Sequence, residues 1–336
     1  MKKYLILALS LAMILLIFPT AAIEQSEKPN QTDRGEKRTE SSDVQKEEPA
    51  DLQEDEEVIS VFRSTSGKVE DIDVEEYLCG AVAAEISPEY SEEAIKAQTV
   101  ACHTYALYMR EIQKRAPDEN LYGADLSDSP NTHQGYMSEE EQKEKWGDKY
   151  GEYSEKIMSC VKEVSNKVIT YKGEYIAAAF HAINTGKTED SENVWGEKIT
   201  YLKSVESPGD ALSPELVKTK SLTEEEMKKA LGEGDVNVTG EASRWFSQPE
   251  YTKSGSVKTV EICGTEYKGS AVRDILSLPS NAFSVRYEDG TFTVETKGYG
   301  HMIGLSQCGA EYMAKQGFTW EEILLHYYSG VKITKL

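Results

Sequence analysis

Positive charge is scarce in this chain. Its 336 residues hold 37 Lys and Arg against 59 Asp and Glu, a formal net charge of −22. Such a surface repels polyanions, which excludes a nucleic-acid partner. It confines any attraction to anionic lipid head groups to the extreme N-terminus. Cysteine is sparse as well. Cys79, Cys102, Cys160, Cys263 and Cys308 include no CxxC pair, and their odd number leaves one unpaired within a monomer. A disulfide framework is thereby excluded, and the five read as small buried hydrophobes. The candidate metal ligands are His103, His133, His181 and His301, with Cys102 and Cys308. No two of them have close ligand spacing on one helix or hairpin. No cofactor is expected, with zinc on these residues as the metal alternative. A Cys102 or Cys308 nucleophile assisted by His301 is the corresponding catalytic alternative. No internal repeat is visible.

One long apolar run is present. Lys2 and Lys3 precede a nearly unbroken stretch from Tyr4 to Ile23, and about 20 such residues span a bilayer. The lysines should stay cytoplasmic, so everything after the run is exported. Ala21 and Ala22 leave cleavage open, but the run exceeds a signal-peptide core of roughly 7–15 residues, which favours an uncleaved signal-anchor. Residues 1–23 are therefore expected as a membrane helix, with the rest of the chain outside the cell membrane. Residues 24–57 carry thirteen acidic and five basic side chains, no aromatic, and only Val44 and Leu52 as large aliphatics. That composition cannot order itself by burial, and it reads as a disordered acidic tether.

The remainder has an α+β pattern. Val58 to Phe62 reads as a strand. Asp73, with Glu76 three residues on, opens a helix that should end before Ser87-Pro88. Ser91 starts a second helix running to about Arg115. After a polar stretch with a short helix near Glu139–Lys145, a helix from about Glu152 to Ser165 leads into strands at Val168–Tyr171 and Ala177–His181. Residues 207–290 change character, with a capped helix (Thr223–Leu231), a strand (Val257–Ile262), a short helix (Val272–Leu276) and a strand (Phe283–Tyr287). They are expected as a smaller inserted α/β subdomain within a helical and β-strand catalytic core of 58–206 and 291–336. Thr291–Glu295 should be a core strand, and Gln307 to Lys315 the final long helix, followed by a last turn near Trp320–Tyr328.

On a helical wheel Val74, Leu78, Ala81 and Glu85 share one stripe. Three are apolar, so the stripe faces the core or a cleft. A carboxyl group pressed against apolar surface has a raised pKa and keeps its proton, as a general acid requires. The competing reading of Glu85 is an ordinary, partly exposed helix-end residue. In the second helix two adjacent apolar stripes predict a wide buried face, with Gln98 as its polar exception. A buried amide needs either a structural partner or a substrate. Lys96, His103 and Arg110 share the opposite row and are expected to face outward.

These residues belong to a recognisable pattern. The stretch Glu76-Tyr77-Leu78-Cys79-Gly80-Ala81-Val82-Ala83-Ala84-Glu85-Ile86, with Glu93 through Ala106, resembles the stage II sporulation protein D family. So do Phe180 through Thr188 with Asn193-Val194-Trp195-Gly196, and the block Gly300 through Ala310. The resemblance spans roughly residues 58–334. It implies a membrane-anchored peptidoglycan lytic transglycosylase of spore engulfment, acting on glycan strands that a partner amidase has stripped of peptide, within a membrane-bound complex. It implies that Glu85 is the catalytic acid. Gln98, Tyr105, His181, Thr185, Lys187, Thr188, His301, Ser306 and Gln307 are the candidate substrate contacts by motif membership. The chain departs from the family at Cys102-His103, where Ala-Arg is usual, at Asn184-Thr185, where Ser-Gly is usual, and at Cys308, where an aromatic is usual. A hydrolase generally needs two carboxylates, and these blocks offer no obvious second one, which favours the transglycosylase. A related branch of the family stimulates amidases without cutting glycan, and that is the alternative role.

Overall fold

The computed structural model describes residues 58–130 and 132–336. The membrane helix and tether expected at 1–23 and 24–57 lie outside them. No helix among the described residues is long and apolar enough to cross a membrane.

Strand β1 (Val58–Arg63) turns Ile59 and Val61 inward and pairs antiparallel with β2 (Lys68–Asp73). The Asp73 carboxylate then accepts the Glu75 and Glu76 amides and starts α1 (Val74–Glu85), which stops before Ser87-Pro88 as its sequence predicts. Helix α2 (Glu92–Arg115) follows. Next come β3 (Leu126–Ser127), parallel to β1, then α3 (Glu139–Trp146), opened by a Ser138–Glu141 capping box, and α4 (Tyr150–Val164). Strands β4 (Lys167–Tyr171), β5 (Glu174–Tyr175) and β6 (Phe180–His181) lead to the short α5 (Ser191–Val194). The strand expected over Ala177–His181 is therefore only two residues long. Ala179 turns back to donate to the Ala177 carbonyl, and only Phe180 and His181 find a strand partner.

Residues from β7 (Val217–Thr223) and α6 (Glu224–Glu233) onward build a second, separate hydrophobic cluster. It continues through β8 (Glu250–Tyr251), β9 (Val257–Ile262), β10 (Thr265–Lys268), α7 (Gly269–Leu276), β11 (Ala282–Glu288) and β12 (Thr291–Lys297). Two three-stranded antiparallel sheets, β11–β12–β7 and β10–β9–β8, carry it. The strand beginning at Thr291, expected in the core, lies here. β12 is the centre of its sheet and buries Phe292 and Val294 in the second cluster, because its two partners come from residues 217–223 and 282–288. The chain returns to the larger cluster with β13 (Leu305–Ser306), which pairs parallel with β6. Helices α8 (Gln307–Lys315) and α9 (Trp320–Tyr327) follow, and β14 (Lys332–Lys335) pairs with β4.

The large cluster is organised around α2, which packs against α1, α4, α8, α9 and β4. Its small residues Ala94, Ala97, Ala101 and Ala106 are fully buried and let neighbouring backbones approach. The row expected to face outward does not. Lys96, His103 and Arg110 are only 7%, 2% and 7% exposed. The wheel misled because protein charges replace water on that side: the Lys96 ammonium reaches Glu163 at 2.6 Å and Glu93 at 3.2 Å, and Arg110 pairs with Asp125 at 2.9 Å. His103 has no such counter-charge among the described residues, and burial holds its pKa down at about 4.

The sign of that shift gives a test. The unfolded His103 takes up a proton near its usual 6.5, whereas the folded one resists until pH 4. His103 therefore contributes stability that is complete above pH 6.5 and is lost progressively as pH falls towards 4. Thermal midpoints followed from pH 7 to 4.5 should fall less in His103→Gln than in the unaltered chain. Equal slopes would contradict the burial.

Candidate active site

Glu85 is the last residue of α1, one turn after the buried Ala81 and Val82. It is half-buried. Desolvation is the largest influence on its carboxyl and raises its pKa, opposed by a hydrogen bond from the Gly135 amide and by the charge of Lys145. The Gly135 N–H donates to Oε1 at 2.5 Å. Oε2 has no hydrogen-bond partner among the described residues, so a proton carried there is available for transfer.

The segment Gln134–Met137 makes this arrangement possible. Tyr136 lies against α1 over Gly80, where any Cβ would sit 2.3 Å from the Tyr136 ring. The Met137 amide donates to the Gly80 carbonyl at 3.1 Å, and the Tyr136 ring stacks on Tyr77 with centroids 5.9 Å apart. Gln134 reaches both the Tyr77 hydroxyl and the Cys102 carbonyl. Sequence reading left residues 116–150 as a polar connection and missed this segment. The available signal was Gly80, an unneeded break in an otherwise good helix former.

On the α2 side, Tyr105 is half-buried, and burial first, then Tyr108 and Glu85, raise the pKa of its hydroxyl. Gln98 is completely buried. Its amide donates to the Cys102 sulfur at 3.3 Å, and its oxygen accepts from Gln307 at 3.3 Å. Of the two roles open to a buried amide, the geometry supplies the structural one, a bond between α2 and the start of α8. Both thiols that could have served as nucleophiles have raised pKa values: burial pushes Cys308 up to about 11 and Cys102 further still. That is the reverse of the activation a cysteine nucleophile needs.

The middle and C-terminal motifs meet at the parallel β6–β13 pair. His181 is bound through Nδ1 to the Ile303 carbonyl at 3.1 Å and through Nε2 to the Asn184 amide at 3.3 Å. His301 accepts the Ile303 amide at 3.0 Å and packs beside Trp195 and His181. Burial depresses both imidazoles, to about 3 and about 4, so they are neutral at physiological pH. Thr188 is fully buried and bonded to Val205. Thr185 and Lys187 sit elsewhere, on the wall of a cleft that Glu85 does not line. No three His, Cys, Asp or Glu side chains among the described residues converge as metal ligands.

A second buried carboxylate, missed in the sequence, binds these motifs together. Asp210 has no solvent exposure. Its oxygens accept the Ser306 hydroxyl at 2.6 Å, the Asn184 amide at 2.8 Å and the Ser207 hydroxyl, which also meets Tyr327 at 2.7 Å. Burial raises its pKa against these hydrogen bonds. Ser306 in turn accepts the Gly309 amide and caps α8. Asp210 follows a Pro-Gly turn with no periodic pattern around it, so nothing local marked it.

The profile described as Stage II sporulation protein matches residues 63–171. The chain is 33% identical to Stage II sporulation protein D of Bacillus amyloliquefaciens, over all of this chain and 96% of that protein. It is equally similar, at 33% and the same coverage, to Stage II sporulation protein D of Bacillus subtilis (strain 168). A 25% identity links 76% of this chain to 40% of the Amidase enhancer of Bacillus subtilis (strain 168).

The geometry around Asp210 predicts a large stability cost. Asp210→Ala strands three buried donors, each worth roughly 1–3 kcal/mol when unpaired, so denaturant unfolding should show a loss of at least about 3 kcal/mol. A loss below about 1 kcal/mol would mean that water or neighbours replace the carboxylate.

Proposed function

The chain belongs to the stage II sporulation protein D family, and from that premise we propose that it is a membrane-anchored lytic transglycosylase of sporulation. It cleaves the MurNAc–GlcNAc bond of peptidoglycan to a 1,6-anhydro product, on strands denuded by a partner amidase during engulfment. The N-terminal run holds it in the cell membrane within an engulfment complex, its catalytic domain outside. The observation that carries this reading is the Glu85 carboxyl: desolvated, raised in pKa, and bonded through one oxygen only.

Protonated Glu85 donates its proton to the glycosidic oxygen as the C1–O bond breaks, and the leaving sugar departs with a hydroxyl. The C6 hydroxyl of the same muramic residue attacks C1, closes the 1,6-anhydro ring and returns its proton to Glu85. No water is consumed, and one carboxyl group serves as acid and then base. Between the two steps the Gly135 amide and Lys145 stabilise the carboxylate. Positive charge developing at C1 is met by nearby dipoles, of which the half-buried Tyr105 is the candidate.

The likeness to an amidase enhancer supports a second reading, in which the chain stimulates an amidase and cuts nothing itself. Denuded glycan incubated with the chain alone separates the two, since an enhancer releases no fragments without its amidase.

For the transglycosylase, Glu85→Gln should abolish release of anhydro-ended fragments from denuded glycan while leaving the thermal midpoint nearly unchanged. Retained cleavage would remove Glu85 from the mechanism. In the unaltered chain the alkaline limb of kcat/KM should lie above the usual glutamate value of 4.5, because the acid form is the active one and burial prolongs it.

A further inference from the structure

A cleft of about 580 Å³ opens where the middle motif meets the second hydrophobic cluster. That is within the range of roughly 300–1,000 Å³ typical of small-ligand sites. Thr185 and Lys187 form one wall, and Tyr251, Lys253, Phe283 and Lys297 belong to the other.

The walls are braced against each other. Thr185 donates to the Ser254 carbonyl at 2.5 Å, Ser254 donates to the Thr188 carbonyl at 2.7 Å, and Thr252 donates to the buried Glu189 at 2.6 Å. The cleft is thus preformed. Tyr251 is 46% exposed, and its hydroxyl is tied to the Phe283 carbonyl at 3.3 Å, which fixes the ring while leaving its surface open. Next in sequence to the lining residues Gly255 and Ala282, the buried Ser256 hydroxyl and the Asn281 side-chain Oδ1 have no hydrogen-bond partner among the described residues.

Charge identifies the occupant. On a chain of net −22, this cleft holds three lysines against Glu206 and Glu295, a local excess of one positive charge. Lys187 is bound to Glu206 at 2.9 Å, and Lys297 lies 3.8 Å from Glu295. Lys253 makes no hydrogen bond or ion pair among the described residues and is the cation left over for a ligand. A fixed aromatic ring suits the apolar C–H face of a sugar, and an uncommitted ammonium suits a carboxylate.

We propose that this cleft binds a carboxylate-bearing sugar unit of the glycan, with Lys253 pairing the carboxylate and Tyr251 covering the ring. The proposal rests on the reading that the chain handles peptidoglycan. It deepens that reading, because the lactyl carboxylate of a muramic residue is free only where the stem peptide is absent. The cleft then selects denuded strands at a place separate from Glu85.

The test uses the full chain carrying Glu85→Gln, titrated with free N-acetylmuramic acid and, separately, with neutral N-acetylglucosamine. Ligand-observed NMR reads binding in both cases. N-acetylmuramic acid should bind about tenfold more tightly than N-acetylglucosamine. Lys253→Ala should remove that preference without moving the thermal midpoint, and Tyr251→Ala should weaken both sugars. Equal binding of the two sugars, or a preference untouched by Lys253→Ala, overturns the proposal. Glycan cleavage by the chain with Glu85 intact is scored separately. Absent cleavage with the Lys253-dependent preference intact would overturn the catalytic reading and support this site.

Discussion

Helix α2 is enclosed by α1, α4, α8, α9 and β4, so every polar side chain it buries must be satisfied by protein or left neutral. That constraint runs through the rest of the molecule. Lys96 and Arg110 survive burial by pairing with Glu163 and Asp125, and His103 survives by staying uncharged. Gln98 is satisfied by Cys102 and Gln307, which joins α2 to the C-terminal motif. Glu85, at the end of the neighbouring α1, is desolvated as well, but among the described residues its one hydrogen-bond donor is the Gly135 amide. The same packing that stabilises the core prepares a carboxyl group to hold a proton.

The buried Asp210 and the half-buried Glu85 thus have opposite situations. Asp210 is surrounded by donors from three segments and acts as a structural anchor. Glu85 has one donor on one oxygen and a free second oxygen. Burial raises both pKa values, so the shift alone does not distinguish a catalyst from an anchor. The hydrogen bonds do: the Asp210 oxygens are already taken up by donors, which favour its ionised form, whereas Glu85 keeps an oxygen on which to carry a proton.

Much of this was legible in the chain. The Asp73 cap, the proline stop at Ser87-Pro88 and the α1 stripe put Glu85 at the end of α1, where the helix does end, because those are local signals. The family blocks marked the segments that β6, β13 and α8 bring together. What stayed hidden was non-local. Amphipathic reasoning turned the Lys96–His103–Arg110 row outward, since a wheel cannot see counter-charges that arrive from Asp125 and Glu163. Strand β12 was assigned to the core because pairing with β7 and β11 leaves no mark on its own sequence. The Gln134–Met137 segment and Asp210 sit in irregular chain, where periodicity has nothing to report. The motif residues also divide more than their shared membership implied: Gln98, Thr188 and Ser306 are fully buried, whereas Thr185 and Lys187 line a cleft apart from Glu85.

In the proposed chemistry one desolvated carboxyl group cuts glycan without a water nucleophile. The most direct test is digestion of denuded glycan in water enriched in oxygen-18, with mass spectrometry of the new chain ends. Anhydro ends free of the heavy isotope, and lighter by one water than reducing ends, are expected. Reducing ends carrying oxygen-18 would show hydrolysis and contradict it.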